Sequence, residues 1–142
     1  MNLAEAEAIL ALELEIITAL KLRDSEAEFL ADWRIQFAAE RVLERIFQAS
    51  VKVGRETLEG YFGADGVRSL RGIRNRLAHN YLEIDNEILW EIVNVDLPLV
   101  HQRLAFDALT ARNVVAASLM ETELDADEWR ARHLRSTSDS EE

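Results

Sequence analysis

Residues 70–99, LRGIRNRLAHNYLEIDNEILWEIVNVDLPL, carry the pattern that decides the fold. Their apolar residues recur every three or four positions, which is the spacing of one face of an α-helix. The first helix is expected to end at or near His79, where Asn80 can leave helical geometry, and the second to begin at the N-cap Asp85. Pro98 has no amide proton, so it should kink or split the second helix unless the chain already unwinds there.

The rest of the chain also has helical patterns. Apolar residues keep the same spacing over residues 3–20 and again over residues 32–51. The segment Ser25–Glu28 has the form of a capping box, which marks a helix start. Residues 60–66 contain three glycines and are the clearest loop, and a last helix is expected over residues 107–124.

No segment needs a β-strand, so we predict an all-α, up-and-down helical bundle of about four to five helices. A chain of 142 residues, 49% of them apolar, is the size of one domain and can bury a core. We expect the helical domain to span residues 1–125. An acidic, disordered tail is expected over residues 126–142.

Composition excludes several classes of protein. The chain has no cysteine and only three scattered histidines, so we expect no disulfide, no metal site and no cofactor. Glutamates interrupt the apolar run at the N-terminus, unlike a signal peptide, and no apolar segment reaches the roughly 20 residues that cross a bilayer. We therefore expect a soluble, cytoplasmic protein without a membrane partner.

The net charge of -11 is unfavourable for binding nucleic acid, but its distribution is uneven. Residues 1–31 carry seven acids and two bases, and residues 121–142 carry eight acids and three bases. Residues 68–76 contain no acid and four arginines: Arg68, Arg71, Arg74 and Arg76. This segment predicts a local cationic patch on an acidic protein, whereas an ordinary solvated helix face would intersperse acids among the bases.

Residues 74–81, RNRLAHNY, combine a permanent cation, a titratable imidazole and a phenol. An arginine offers a planar fork of donors to phosphate oxygens, and a histidine can move a proton near neutral pH. Arg74 and Tyr81 are seven positions apart, about two helical turns, whereas His79 would lie off their shared face in an ideal helix. Taken alone, an arginine and a histidine at this spacing are weak evidence of catalysis.

The longer string resembles the HepT-like members of the HEPN superfamily, small all-helical proteins with the pattern Arg-x-x-x-x-His-x-Tyr. The matching positions here are Arg74, His79 and Tyr81, and Asn75 is the polar residue that follows the arginine. The resemblance covers most of residues 1–110. It implies a HEPN-like homodimer that packs around the motif helix and forms its catalytic cleft at the two-fold interface.

The resemblance also implies a metal-independent endoribonuclease toxin of a type VII-like toxin–antitoxin pair. In this hypothesis His79 withdraws a ribose 2′-hydroxyl proton and Arg74 stabilises the charge on the attacked phosphate. Asn75 supports the site, and Arg71 and Arg76 contact RNA phosphates. Tyr81 is the expected target of nucleotide transfer (AMPylation) by a cognate nucleotidyltransferase antitoxin. The acidic balance favours a structured substrate such as tRNA, and no DNA is expected.

Other interpretations remain open. The chain can be a non-catalytic HEPN subunit that binds a minimal nucleotidyltransferase, or a helical nucleotide-binding domain. His79 can be a helix-capping or surface residue, and Tyr81 can be an amphipathic core residue. We expect Trp33 and Trp90 to be core aromatics.

Overall fold

A computed structural model describes the backbone of residues 1–79 and 85–139 and the side chains of residues 1–77 and 85–134. This part of the chain is almost entirely helical and contains no strand, so the prediction of an all-α bundle is confirmed. Among these residues no helix combines the length and apolarity needed to cross a membrane. The elements in chain order are α1 (Leu3–Leu20), α2 (Glu26–Ala31), α3 (Trp33–Ser50), α4 (Arg55–His79), α5 (Asn86–Glu91), a π-helical turn (Ile92–Asp96) and α6 (Leu97–Asp139).

Side-chain caps explain where the helices begin. The predicted N-caps are confirmed: the Ser25 hydroxyl accepts a bond from the Glu28 amide at 3.3 Å, and the Asp85 carboxylate accepts one from the Glu87 amide at 2.9 Å. The reciprocal bond of the capping box predicted at Ser25–Glu28, from the Ser25 amide to the Glu28 carboxylate, does not form. Asn2 forms a complete capping box at the start of α1, which the sequence interpretation did not identify. Each bond satisfies an amide that has no partner within its own helix.

The core lies where α1 packs against both α3 and α6. Leu12 and Ile16 of α1 are fully buried, as are Leu43 of α3 and Leu104 of α6. Two ion pairs tie the same helices together at the edge of this core. Glu15 of α1 pairs with Arg45 of α3 at 2.8 Å, and Glu13 of α1 pairs with Arg112 of α6 at 2.7 Å.

The predicted loop over residues 60–66 is wrong, because helix continues on both sides of a single kink at Gly63. Gly63 has φ 76° and ψ 159°, a conformation that a side chain strongly disfavours. The segment before the kink is anchored to α6. The Tyr61 hydroxyl donates to the Asp107 carboxylate, and the Arg103 guanidinium donates to the Tyr61 carbonyl at 3.1 Å. Burial, together with the hydrogen bond to Asp107, raises the pKa of Tyr61.

Replacing Gly63 with alanine is expected to lower the free energy of unfolding by about 1–3 kcal/mol, because the added Cβ disfavours the positive φ. Gly60 provides the matched control, since an added Cβ meets no atom within 4 Å at either glycine. Gly60 has helical geometry, so Gly60→Ala should stabilise the protein by roughly 0.5–1 kcal/mol. Urea unfolding of both variants measures the two changes, and shifts of the same sign would contradict this interpretation.

In the C-terminal half of the chain, the helix boundaries in the structure differ from the predicted ones. The last helix starts at Leu97 rather than at residue 107, and Pro98 lies in its first turn, directly after the π-helical turn. Instead of a disordered tail from residue 126, helix continues to Asp139. Intrahelical ion pairs join Asp127 to Arg130 and Glu128 to Arg132, so the charges that indicated disorder have helix-compatible partners.

The tryptophans are distributed differently from the prediction. Trp90 is half-buried and packs on Phe29, with ring centroids 5.3 Å apart. Trp33 was expected in the core, but it is 63% exposed at the first position of α3. There its ring meets the edge of Phe37, which is also exposed.

Candidate functional site

The second half of α4, residues 64–79, separates its apolar and basic side chains onto different faces. Val67 and Leu70 are buried, and Ile73 and Leu77 are half-buried against the core. The polar side chains of the motif region are exposed: Arg71, Arg74, Asn75 and Arg76. The helix is therefore anchored by one face and offers its cations to solvent, as an amphipathic helix does.

Arg74 borders two adjoining depressions between α3 and α4, which we call the α3–α4 groove. Phe47, Val51 and Arg74 line both depressions, whose volumes are about 330 Å³ and 320 Å³. Glu44 and Gln48 of α3 line the first depression with Leu77, and Arg71 lines the second. The groove thus has an apolar floor and a rim of guanidinium, carboxylate and amide groups.

The cations of residues 68–76 are not equivalent. Arg68 pairs with Asp65, one turn away on the same helix. Arg71, Arg74 and Arg76 form no ion pair or hydrogen bond with any residue that the structure describes. Of these three, only Arg71 and Arg74 line the groove. The structure therefore brings these two cations to one cavity and leaves Asn75 and Arg76 on exposed surface outside it.

His79 is the last residue of α4 that the structure describes, and the prediction that the helix ends at or near it depends on residues 80–84, which lie outside the described residues. Its side chain and the whole of Tyr81 lie outside the described residues. The relation of the imidazole and the phenol to Arg74 therefore remains a prediction. The described backbone places His79 five residues beyond Arg74 in the same helix, about 7.5 Å along the helix axis.

Sequence reasoning did not find the part of the site that α3 supplies. Gln48 is exposed, and its amide bonds no described residue. Glu44 shares the rim but is held by Arg41 at 3.0 Å. Both residues occupy polar positions of an amphipathic helix, and only the packing of α3 against α4 reveals that they face Arg74.

The groove has the chemistry of an anion site. Two guanidinium groups without described partners can hold phosphate oxygens, and the Gln48 amide can donate or accept a hydrogen bond beside them. The Glu44 carboxylate would repel an anion less than a free acid does, because Arg41 balances its charge. Among the described residues, no three imidazole or carboxylate groups lie close enough to hold a metal ion.

Comparison with known proteins gives a family match over this region. A family model described as "Ribonuclease HepT-like" matches residues 10–105, which include the whole motif. "Putative RNase MJ1380" of Methanocaldococcus jannaschii is 32% identical over 77 residues, 54% of this chain and 70% of that protein. "Probable ribonuclease HepT" of Thermococcus cleftensis is 32% identical over 71 residues, 50% of this chain and 64% of that protein. No solved structure gave a match.

Proposed function

Because this chain belongs to the HepT-like ribonuclease family, we propose that it is a metal-independent endoribonuclease toxin with Arg74 and His79 as its catalytic residues. That the chain is a ribonuclease follows from the family match and the names of its relatives. One observation carries the proposed site: two guanidinium groups without described partners share a groove along α4, the helix that also contains His79.

The proposed reaction uses the RNA's own 2′-hydroxyl as the nucleophile. His79 withdraws the hydroxyl proton, and the 2′-oxygen forms a bond to the adjacent phosphorus. Arg74 stabilises the negative charge that builds on the nonbridging oxygens. The bond from phosphorus to the 5′-oxygen then breaks, and the leaving oxygen gains a proton. One fragment ends in a 2′,3′-cyclic phosphate and the other begins with a 5′-hydroxyl.

Other groups at the groove have positioning roles in this proposal. Arg71 holds a neighbouring phosphate of the substrate, and Gln48 is placed to bond the ribose or base of the nucleotide that occupies the first depression. Arg76 and Asn75 lie outside the groove of one chain, so they contribute only where a second chain extends the site. The net charge of -11 favours a structured RNA such as tRNA over arbitrary strands.

A homodimer that packs around α4 completes the site in this proposal. The exposed face of α3 supports it, because one stripe about 60° wide runs from two exposed aromatics to the groove. The stripe contains Trp33, Phe37, Glu44, Gln48 and Val51. Exposed aromatic side chains of this size are typical centres of protein interfaces. A second copy seated on the stripe would bring its own motif helix beside Arg74.

Trp33→Glu is expected to weaken the association of two copies through the α3 stripe and to lower RNA cleavage about tenfold or more, because a carboxylate would be buried at the interface. Trp129→Glu is the matched control: Trp129 is 61% exposed, close to the 63% of Trp33, but lies on α6. Light scattering after gel filtration gives the mass of each variant. Equal dissociation on dilution and equal cleavage rates for the two variants would contradict a dimer through the α3 stripe.

A cognate nucleotidyltransferase antitoxin neutralises the enzyme in this proposal: the Tyr81 oxygen loses its proton and bonds the α-phosphorus of a nucleoside triphosphate, and the bond to the β-phosphate breaks with release of pyrophosphate. The family match over residues 10–105 and the place of Tyr81 in the Arg-x-x-x-x-His-x-Tyr pattern support this assignment. A phosphate attached there would add negative charge beside a cationic groove. It would compete with RNA for Arg71 and Arg74.

Incubating the purified chain with end-labelled tRNA in excess EDTA tests the proposed function. We expect cleavage to persist, since neither proposed catalytic group depends on a metal, and mass spectrometry should find cyclic phosphate ends. Cleavage that requires an added divalent ion, or that leaves 3′-hydroxyl ends, would refute the proposed mechanism.

A further inference from the structure

The C-terminal part of α6 leaves the core of the protein. Leu104, Ala108 and Ala111 are buried, and the helix makes its last core contacts through the half-buried Val114 and Val115. Every side chain from Leu119 to Leu134 is exposed. We call residues 119–134 the C-terminal arm. It spans about 24 Å of helix and lies beyond the family match, which ends at residue 105.

The C-terminal arm carries an apolar stripe that no described part of the chain covers. At 100° per residue, four of its side chains fall within about 80° of arc: Met120, Leu124, Ala131 and Leu134. Leu119 and Trp129 are exposed apolar residues outside that stripe. A helix with this much exposed apolar surface has only marginal stability in water unless another surface packs on it.

Charge divides the same arm into two halves. Residues 121–128 contain five acids and no base, and residues 130–135 contain three arginines and no acid. Two identical arms side by side in the same direction would place acid beside acid. In opposite directions, the acidic half of each arm lies beside the basic half of the other.

We propose that the C-terminal arm pairs with the arm of a second copy of this chain, antiparallel, through the apolar stripe. With the two-fold axis near Asp127, Leu124 lies opposite Ala131 of the second copy and Glu123 lies opposite Arg130 of the second copy. The contact is self-complementary, as a two-fold interface must be. Asp127 lies within the stripe near the axis, so the two copies of its carboxylate come close together, and the ion pair of each with Arg130 offsets their repulsion.

The ion pairs within a single arm do not prevent this arrangement. Asp127 pairs with Arg130 at 3.4 Å and Glu128 with Arg132 at 3.8 Å. All four side chains are more than two thirds exposed, so these pairs contribute little to stability and can be shared with a second arm. The charge division favours a second copy as the occupant over another protein, because the arm already contains the complement of its own charge pattern.

Cysteine cross-linking tests the pairing directly, because the chain has no cysteine of its own. Full-length Leu124→Cys and Ala131→Cys chains are mixed, allowed to exchange and mildly oxidised. We expect a disulfide-linked species containing one of each chain. Leu119→Cys replaces Leu124→Cys in the control mixture: the two leucines are 61% and 63% exposed but lie about 140° apart around the helix. The control mixture should link at least about tenfold more slowly.

Charge reversal provides a second measurement. Glu123→Arg or Arg130→Glu alone places like charges opposite each other, so each should slow the formation of the mixed disulfide several-fold at low salt. The double reversal restores complementarity and should restore the rate. All these variants should still cut RNA, because none lies in the proposed catalytic site, so failure of the pairing is distinguishable from failure of the ribonuclease proposal.

Three results would overturn the proposal. Faster linking of Leu124→Cys chains to one another than to Ala131→Cys chains would indicate a parallel pair. Equal linking in the control mixture would indicate random collision. Absence of linking, together with loss of nucleotidyltransferase binding in Leu124→Glu, would identify that enzyme as the occupant of the arm.

Discussion

Replacing Arg74 with alanine is expected to lower the rate of RNA cleavage by about 10²–10³-fold, the usual cost of removing one group that stabilises a developing oxyanion. Arg74 is exposed, lines both depressions of the α3–α4 groove and has no described ion-pair partner. Its loss should therefore leave the fold intact. Arg74→Lys should recover only part of the rate, because an ammonium cannot present the planar fork of a guanidinium to two phosphate oxygens.

Arg68→Ala is the matched control for Arg74→Ala. Both arginines are exposed and lie on the same helix, but Arg68 pairs with Asp65 and does not line the groove. We expect Arg68→Ala to change cleavage by less than about threefold, the scale of a peripheral phosphate contact. Single-turnover rates on one labelled RNA separate the two variants. Equal losses would mean that general positive charge, and not the position of Arg74, drives the reaction.

Phe47→Ala is expected to lower the free energy of unfolding by about 3–5 kcal/mol, since it removes a buried aromatic ring and leaves a cavity. Phe47 is 5% exposed and forms the floor of the α3–α4 groove next to Arg74. For a domain of this size the loss is a large fraction of the total stability. The variant should therefore also cut RNA poorly at temperatures where the wild-type protein is stable.

Phe106→Ala removes the same ring from a position that is 77% exposed. Its free energy of unfolding should change by no more than about 0.5 kcal/mol, as for other surface substitutions. Urea titration followed by circular dichroism measures both variants against the wild-type chain. A similar loss for the two phenylalanines would show that burial in the core does not determine the contribution of Phe47.

Much of the fold follows from local sequence signals. Ser25 and Asp85 cap helices as predicted, because an N-cap needs only a side-chain oxygen and an amide a few residues away. The three glycines of residues 60–66 led to the wrong prediction of a loop, since glycine permits a break in a helix without requiring one. Tyr61 is held to α6 by Asp107 and Arg103, which keeps the chain helical up to Gly63.

Features that depend on long-range packing could not be predicted from sequence. Trp33 was expected to be a core aromatic, yet its position at the start of α3 places it in solvent beside Phe37. A cationic patch was predicted over residues 68–76, and two of its four arginines, Arg71 and Arg74, line the groove. Gln48 at the opposite rim was not predicted, because the sequence of α3 does not indicate which helix packs against α3.

Cleavage of a labelled tRNA by the His79→Ala variant, beside wild-type protein in EDTA, tests the central claim most directly. We predict that the wild-type chain produces fragments with 2′,3′-cyclic phosphate and 5′-hydroxyl ends, and that the variant leaves the RNA intact while keeping the wild-type circular dichroism spectrum. A His79→Ala chain that cuts the same bonds at the wild-type rate would contradict the proposed catalytic site.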